Sequence, residues 1–227
     1  MAGPSGTLYL VSTPIGNLED LTLRARRLLA EVQLIAAEDT RHTQQLLQRY
    51  DIHTPLTSYH DHNKEEKAPV LIERLRQGQS MALVSDAGTP TISDPGYYLI
   101  NGCIAAGITV SPVPGPSASL AALAASGLPT DAFLFAGFLP RKSGARQRRL
   151  EQLAPLRETL IFFESPHRIA RLLDELQQAL GDRRVAIGRE LTKLHEEMMR
   201  GKLSEVAEKL KGRTVKGEIT VVVEGNR

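Results

Sequence analysis

Met81-Ala82-Leu83-Val84-Ser85-Asp86-Ala87-Gly88-Thr89-Pro90, running on through Ser93-Asp94-Pro95-Gly96, is the stretch that decides how this chain is built. Four apolar residues pass straight into Ser-Asp-Ala-Gly, the pattern of a buried strand that ends in a loop of small residues. In an open α/β sheet, ligands bind in the loops at the carboxyl ends of the strands, which puts Asp86 at the mouth of a crevice. An Asp in such a loop can equally hold its own backbone or cap the next helix. The loop alone leaves both readings open.

The same rhythm extends outward in both directions. Thr7 to Ser12 reads as a first strand, stopped by Thr13-Pro14-Ile15-Gly16-Asn17, a loop signalled by Pro, Gly and Asn. Leu21, Ala25, Leu28, Leu29 and Val32 then recur at helical spacing. Leu34 to Ala37 is a second strand, ending in Glu38-Asp39-Thr40-Arg41-His42, where Asp39 or Thr40 suits helix capping as well as function. Thr57 to Asn63 reads as a polar loop before a helix over Glu65 to Gln77. Beyond the opening stretch, Pro95 to Ala106 reads as a helix and Ile108 to Val113 as a strand. Strand and helix in alternation mean a parallel sheet with helical crossovers. The first loop lacks G-x-G-x-x-G, so a nicotinamide-type pyrophosphate cradle is not supported.

Pro112-Val113-Pro114-Gly115-Pro116-Ser117 packs three prolines and a glycine into six residues, a domain-edge signal. It divides the chain into an N-terminal α/β domain, 1–115, and a C-terminal α/β domain, 116–227. Ser117-Ala118-Ser119 opens a run of small residues that suits either close ligand approach or a tightly packed alanine-rich helix. In the second half, strands are expected at Ala132 to Phe138, Leu160 to Phe163, Val185 to Gly188 and Glu218 to Val223. Helices are expected at Arg146 to Gln152, Pro166 to Leu180 and Leu203 to Leu210.

Between the first two of these strands, five of the nine residues Arg141 to Arg149 are basic: Arg141, Lys142, Arg146, Arg148 and Arg149. The whole chain of 227 residues carries only +2, so the rest of it is net negative and the positive charge is local. Such a loop suits phosphate contacts to nucleic acid, or forms a solvated charged face. Charged residues at 24% and hydrophobic ones at 41% describe an ordinary folded protein. The single cysteine, Cys103, excludes an internal disulfide and a four-cysteine zinc site, and suits a reducing compartment. Leu120 to Leu139 is the most apolar long run, but Gly127, Pro129 and Asp131 interrupt it, so no membrane helix is expected. Met1 to Gly6 has no basic segment followed by an apolar one. The expected location is cytoplasmic. His60 and His62 flank Asp61 without an obvious third ligand, and no metal site is expected.

Taken together, Thr13-Pro14-Ile15-Gly16-Asn17, Ala37-Glu38-Asp39-Thr40-Arg41-His42, Val84 to Pro90, Asp94-Pro95-Gly96, Pro114-Gly115-Pro116-Ser117 and Gly137-Phe138-Leu139-Pro140 resemble one family. It is the tetrapyrrole methylase superfamily, in the branch that methylates a cytidine ribose 2′-hydroxyl in bacterial 16S ribosomal RNA. The resemblance runs from Thr7 to Gly225. It implies a two-domain α/β protein, with a parallel sheet in the N-terminal domain and a mixed sheet in the C-terminal one. It further implies S-adenosylmethionine bound in a cleft between the domains, and a homodimer. Relatives that act on corrinoid or porphyrin rings carry a glycine-rich first loop and Gly-Asp-Pro later on. Thr13-Pro14-Ile15-Gly16 and Ser85-Asp86-Ala87-Gly88 depart from that and favour the RNA branch.

By position, the resemblance assigns cofactor contacts to Pro14, Asp86, Ala87, Gly88, Thr89, Asp94, Ser117, Ala118, Phe163, Glu190 and Leu191. A 2′-hydroxyl is a weak nucleophile at neutral pH, so a neighbouring base or cation would help. Glu38, Asp39 and Lys142 are the chosen candidates, with His42, His60 and His167 also in polar loops or at helix starts. RNA phosphates would meet Arg141, Lys142, Arg146, Arg148 and Arg149. The rival readings are a tetrapyrrole C-methyltransferase and an RNA-binding protein without catalysis.

Overall fold

The run Met81–Val84 is a fully buried strand in the computed structural model, which describes residues 5–227. The reading of Met1 to Gly6 therefore lies mostly outside the described residues. The chain divides into two compact units, Met1–Ser117 and Ala118–Arg227.

In the first unit, β1 (Thr7–Val11), β2 (Leu34–Ala37), β3 (Leu56–Ser58), β4 (Met81–Val84) and β5 (Thr109–Val113) form one sheet in the order β3-β2-β4-β1-β5. Every neighbouring pair is parallel. The period-two alternation of a strand sorts its side chains to two faces. Val11, Ile35, Ala37, Ala82, Val84 and Val113 pack with apolar residues of α1 (Leu23–Glu31) and α2 (Thr40–Arg49). Leu8, Leu34, Ala36, Met81 and Leu83 pack with Leu71 and Leu75 of α3 (Lys64–Arg76) and Leu99 and Cys103 of α4 (Tyr97–Ala105). Helices on both faces are what a parallel sheet requires, and they explain why β2 and β4 are apolar at every position. The strand β3 is a departure from the expected polar loop at Thr57 to Asn63. Its three residues are only half-buried at the sheet edge, where backbone pairing to β2 makes the strand without an apolar pattern.

The second unit begins with α5 (Ala118–Ser126), an alanine-rich helix that buries Ser119, Ala122, Leu123 and Ser126. Its sheet contains β6 (Phe133–Phe138), β7 (Thr159–Glu164), β8 (Arg184–Arg189), β9 (Glu197–Lys202) and β10 (Ile219–Val223), in the order β6-β7-β10-β8-β9. β6 and β7 are parallel, while β7–β10, β10–β8 and β8–β9 are antiparallel, so the sheet is mixed. One face packs on α6 (Ser143–Leu153), α7 (Ile169–Leu180) and α8 (Leu203–Leu210) through Leu150, Leu172, Leu176, Leu203 and Val206. The other face is covered by Ala122 and Leu123 of α5, against Ile161, Ala186 and Val222. β9 had no counterpart among the expected strands, because Glu-Met-Met-Arg-Gly-Lys at a sheet edge lacks a buried face along its whole length. The helix expected from Pro166 starts at Ile169, after a turn in which Arg168 N–H bonds Ser165 O.

Among the described residues, no helix is long and apolar enough to cross a membrane. Leu83 is buried in the middle of the first sheet. Leu83→Ala is expected to lower unfolding free energy by about 2–5 kcal/mol, read as a fall in the denaturation midpoint at constant slope.

Candidate functional site

The loops that leave β1 and β4 are tied together. Thr13 N–H bonds Gly88 O at 2.9 Å and Gly88 N–H bonds Thr13 O at 3.1 Å, an isolated antiparallel bridge between loops whose strands run parallel. Buried hydroxyls add to it. Ser12 Oγ lies 3.0 Å from Thr89 Oγ1, and Thr13 Oγ1 donates to Ser85 O at 3.2 Å. Gly88 has φ 80°, the left-handed region open to glycine, and a Cβ there would point at Ile15 Cγ2, 3.6 Å away, and Pro116 O, 3.8 Å away. Gly115 is needed for a different reason: a Cβ would lie 2.9 Å from Ser12 Cβ. The exits of β1, β4 and β5 thus meet at main-chain distance, and Pro14, Gly88 and Thr89 are brought together there.

Next to this knot the ends of β2 and β4 bring carboxylates together. Asp86 Oδ1 accepts the N–H of Asp39 at 3.0 Å, which ties the loop after β4 to the loop after β2. Burial raises the pKa of Glu38 above the ordinary carboxylate range, the charges of Asp94 and Asp86 add to the shift, and the Asp86 N–H opposes it. Burial also raises Asp94, with Asp86 adding and the Ser85 hydroxyl opposing. Asp94 reaches this position through a bent segment in which Thr91 (φ 75°) and Ser93 (φ 70°), both non-glycine, hold left-handed conformations. Conformations of this kind cost about 1–3 kcal/mol each and persist where the surroundings enforce them.

Asp39 is the N-cap of α2: its Oδ1 accepts from Arg41 N–H at 2.8 Å, and its Oδ2 from the Arg41 guanidinium at 2.8 Å. The Arg41 guanidinium holds the Asp39 carboxyl well below its ordinary range. Of the two readings the sequence left open, capping is therefore present at Asp39. His42 is exposed on the first turn of α2. Beside it, Thr40, Arg41, Gln44, Leu56, Thr57 and Ser58 line an open groove of about 660 Å³ along the sheet edge. His60 and His62 stand with ring centroids 6.0 Å apart, and among the described residues no group of three His, Cys, Asp or Glu could hold a metal ion.

In the second unit, Ala118 is the first residue of α5, following directly on Ser117. Phe163 packs edge-to-face on Phe135 at 4.9 Å and on Phe138 at 5.6 Å, with Phe138 itself 58% exposed. Glu190 has φ 50°, and its Oε1 accepts from Lys193 Nζ at 2.9 Å and from Glu218 N–H at 2.9 Å. Its side chain is thereby spent on closing the turn after β8. Leu191 packs against the α5 face of the sheet.

The basic segment differs from its expected form at one residue. Arg141, Lys142 and Arg148 are exposed and Arg149 is half-buried, but Arg146 is 4% exposed, its guanidinium held by Glu175. A guanidinium buried against a carboxylate of α7 cannot reach an RNA phosphate, so Arg146 is corrected from contact to support. No run of residues around Arg146 announced this. The only available hint was Arg171-x-x-x-Glu175, which placed an acidic residue on the inner helix at ion-pair spacing.

A family model described as Tetrapyrrole (Corrin/Porphyrin) Methylases matches residues 7–207. A protein of Halalkalibacterium halodurans named Ribosomal RNA small subunit methyltransferase I is 55% identical over 221 residues, 97% of this chain and 76% of that one. One of the same name from Mesorhizobium japonicum is 58% identical over 218 residues, 95% of this chain and 74% of that one. Among solved structures, the uroporphyrin-III C-methyltransferase of Thermus thermophilus complexed with S-adenyl homocysteine is similar at TM-score 0.65 and 25% identity, covering 96% and 97% of the two chains. A diphthine synthase is similar at TM-score 0.71 and 13% identity, covering 97% of this chain and 90% of that one.

Because Glu38 and Asp94 bind protons more tightly in the folded chain than in the unfolded one, stability should decline as pH rises from the ordinary carboxylate range through their raised pKa values. Glu38→Gln and Asp94→Asn are expected to raise Tm at pH 7. The gain should vanish below about pH 3, where both carboxyls are protonated in either state. Thermal unfolding at the two pH values checks this, and a loss of Tm at pH 7 alone would contradict it.

Proposed function

The chain belongs to the tetrapyrrole (corrin/porphyrin) methylases and, within them, to the ribosomal RNA small subunit methyltransferase I proteins, and we propose that it transfers a methyl group from S-adenosylmethionine to the ribose 2′-hydroxyl of a cytidine in 16S ribosomal RNA. The observation that carries this is identity of 55–58% over 95–97% of the chain to proteins bearing that name. Ring methylases such as the cobalt precorrin-4 methyltransferase share the fold at 16% identity. That contrast favours the RNA reading over a tetrapyrrole substrate.

S-adenosylmethionine supplies an electrophilic methyl group carried on a positively charged sulfur. The loops fit such a molecule on two counts. Gly88 offers bare main chain in a left-handed conformation that side-chain-bearing residues rarely adopt, and Glu38, Asp86 and Asp94 offer negative charge to a cation. In this proposal Pro14, Asp86, Ala87, Gly88, Thr89 and Asp94 hold the cofactor from the first unit. Ser117, Ala118, Phe163, Glu190 and Leu191 contribute from the junction and the second unit, Glu190 through its main chain because its carboxylate is engaged.

Glu38 takes the role of base. A carboxyl whose proton affinity is raised by burial and like charge is suited to accept the proton of a hydroxyl. Asp39, held ionised by Arg41, is a weak base and acts by capping α2, which orients Glu38 beside it. Arg141, Lys142, Arg148 and Arg149 take RNA phosphates, with Lys142 at the N-cap of α6. We include in the proposal a cytoplasmic location, the small ribosomal subunit as substrate and a homodimer. Tyr97, Tyr98 and Ile104 expose 78%, 48% and 61% of their surface on α4, an apolar face that suits a second copy.

The direct test is transfer of labelled methyl from S-adenosylmethionine to purified small subunits, with a uroporphyrinogen-type ring as the comparison. Label in the ring and none in the RNA would overturn the proposal. Asp86→Asn, which keeps an acceptor for Asp39 N–H but removes charge, is expected to weaken cofactor affinity about tenfold by calorimetry. Unchanged affinity would remove Asp86 from the site. Neutralising Arg148 and Arg149 together should lower the slope of log affinity against log salt by about two, read from RNA binding at several ionic strengths.

A further inference from the structure

We propose that Arg146 and Glu175 form a positioning pair that aims the basic segment at RNA, and that Arg171 of α7 is part of the same phosphate-binding surface; this rests on the ribosomal RNA reading above. The geometry is that of a peg. Arg146 Nε and Nη2 donate to the two carboxylate oxygens of Glu175 at 2.5 and 2.6 Å. Its remaining nitrogen, Nη1, donates to Pro140 O at 3.2 Å and Arg141 O at 3.0 Å. One buried guanidinium therefore joins α7 to the two main-chain carbonyls just before α6. The planar fork of arginine makes this possible, and lysine has no equivalent set of donors.

The outer rim is built on the same carboxylate. Arg171 Nε donates to Glu175 Oε1 at 2.9 Å, Arg171 Nη2 donates to Ser143 Oγ at 3.3 Å, and the side chain remains 63% exposed. One carboxylate thus serves two guanidiniums, which leaves the trio of Arg146, Glu175 and Arg171 with one surplus positive charge. Among the described residues, none of Arg141, Lys142, Arg148 and Arg149 forms an ion pair with a carboxylate, whereas Arg41, Arg168, Arg184, Arg189 and Arg227 all do. A patch of uncompensated cations on a framework fixed from beneath matches a polyanion that must be held in one register. Pre-ordering the segment also removes part of the entropy lost when long side chains are immobilised on binding.

The test turns on the sign of one substitution. Glu175→Gln adds a positive charge to the surface while loosening the peg. Positioning predicts RNA binding weaker by about 3- to 10-fold, the loss of ordering for one or two long side chains. KM for small subunits should rise by the same factor, with kcat and S-adenosylmethionine affinity retained. If the pair is only part of the charge balance, the variant binds RNA more tightly with a steeper salt dependence, and the proposal is overturned. Should Glu175→Gln fail to fold, Glu175→Asp keeps the charge and withdraws the carboxylate by one carbon; weaker RNA binding at unchanged Tm supports positioning, and unchanged binding overturns it. Arg171→Ala should lower the salt slope by about one, and an unchanged slope removes Arg171 from the surface. Failure of the unsubstituted protein to methylate or bind small subunits would instead strike the functional reading itself.

Discussion

Two hydrogen bonds between Thr13 and Gly88 join the loops after β1 and β4, and the arrangement of the other strand exits in the first unit depends on them. Parallel neighbours pair along their length, but their exits ordinarily diverge into separate crossovers. Here the exits are clamped, and the clamp works only because Gly88 takes a left-handed conformation and Gly115 leaves room for Ser12. Buried polar groups would be costly at these strand ends if left unmade. Ser12 meets that requirement with Thr89, Thr13 with the main-chain carbonyl of Ser85, and the Ser85 hydroxyl with that of Ala87.

Once the β1 and β4 exits are held, the β4 loop can turn back towards β2. Asp86 receives the Asp39 N–H, and Asp94 comes near Glu38 over a segment with two strained residues. Like charges gathered in a partly buried place oppose folding. Their retention next to the Gly88 loop fits the proposed site, where stability is exchanged for chemistry. Arg41 shows the contrasting treatment: it pairs with Asp39, which leaves Glu38 and Asp94 as the carboxyls with raised proton affinity.

The second unit solves a different problem, that of carrying positive charge without losing order. Its sheet is closed on one side by α5 and on the other by α6 to α8, so the segment between β6 and α6 rests on a rigid base. Burying an arginine with a shared carboxylate is expensive unless each of its side-chain nitrogens finds a partner. Arg146 finds four, two on Glu175 and two main-chain carbonyls.

Much of this was legible in the chain itself. The apolar runs Leu34–Ala37 and Met81–Val84, the helical spacing in α8, and the proline-rich break near 115 follow from local periodicity and backbone chemistry, which neighbouring residues alone determine. So did the loops carrying Glu38, Asp86 and Gly88, because a strand that ends in small and polar residues declares its own exit. The edge strands β3 and β9 were not legible, since their pairing is made by backbone groups that carry no sequence pattern. Nor could adjacency in sequence separate Arg146 from Arg148. A helix turns about 100° per residue, so these two point to opposite sides, and only the packing of α6 on α7 decided which cation is buried as support and which is left for a partner.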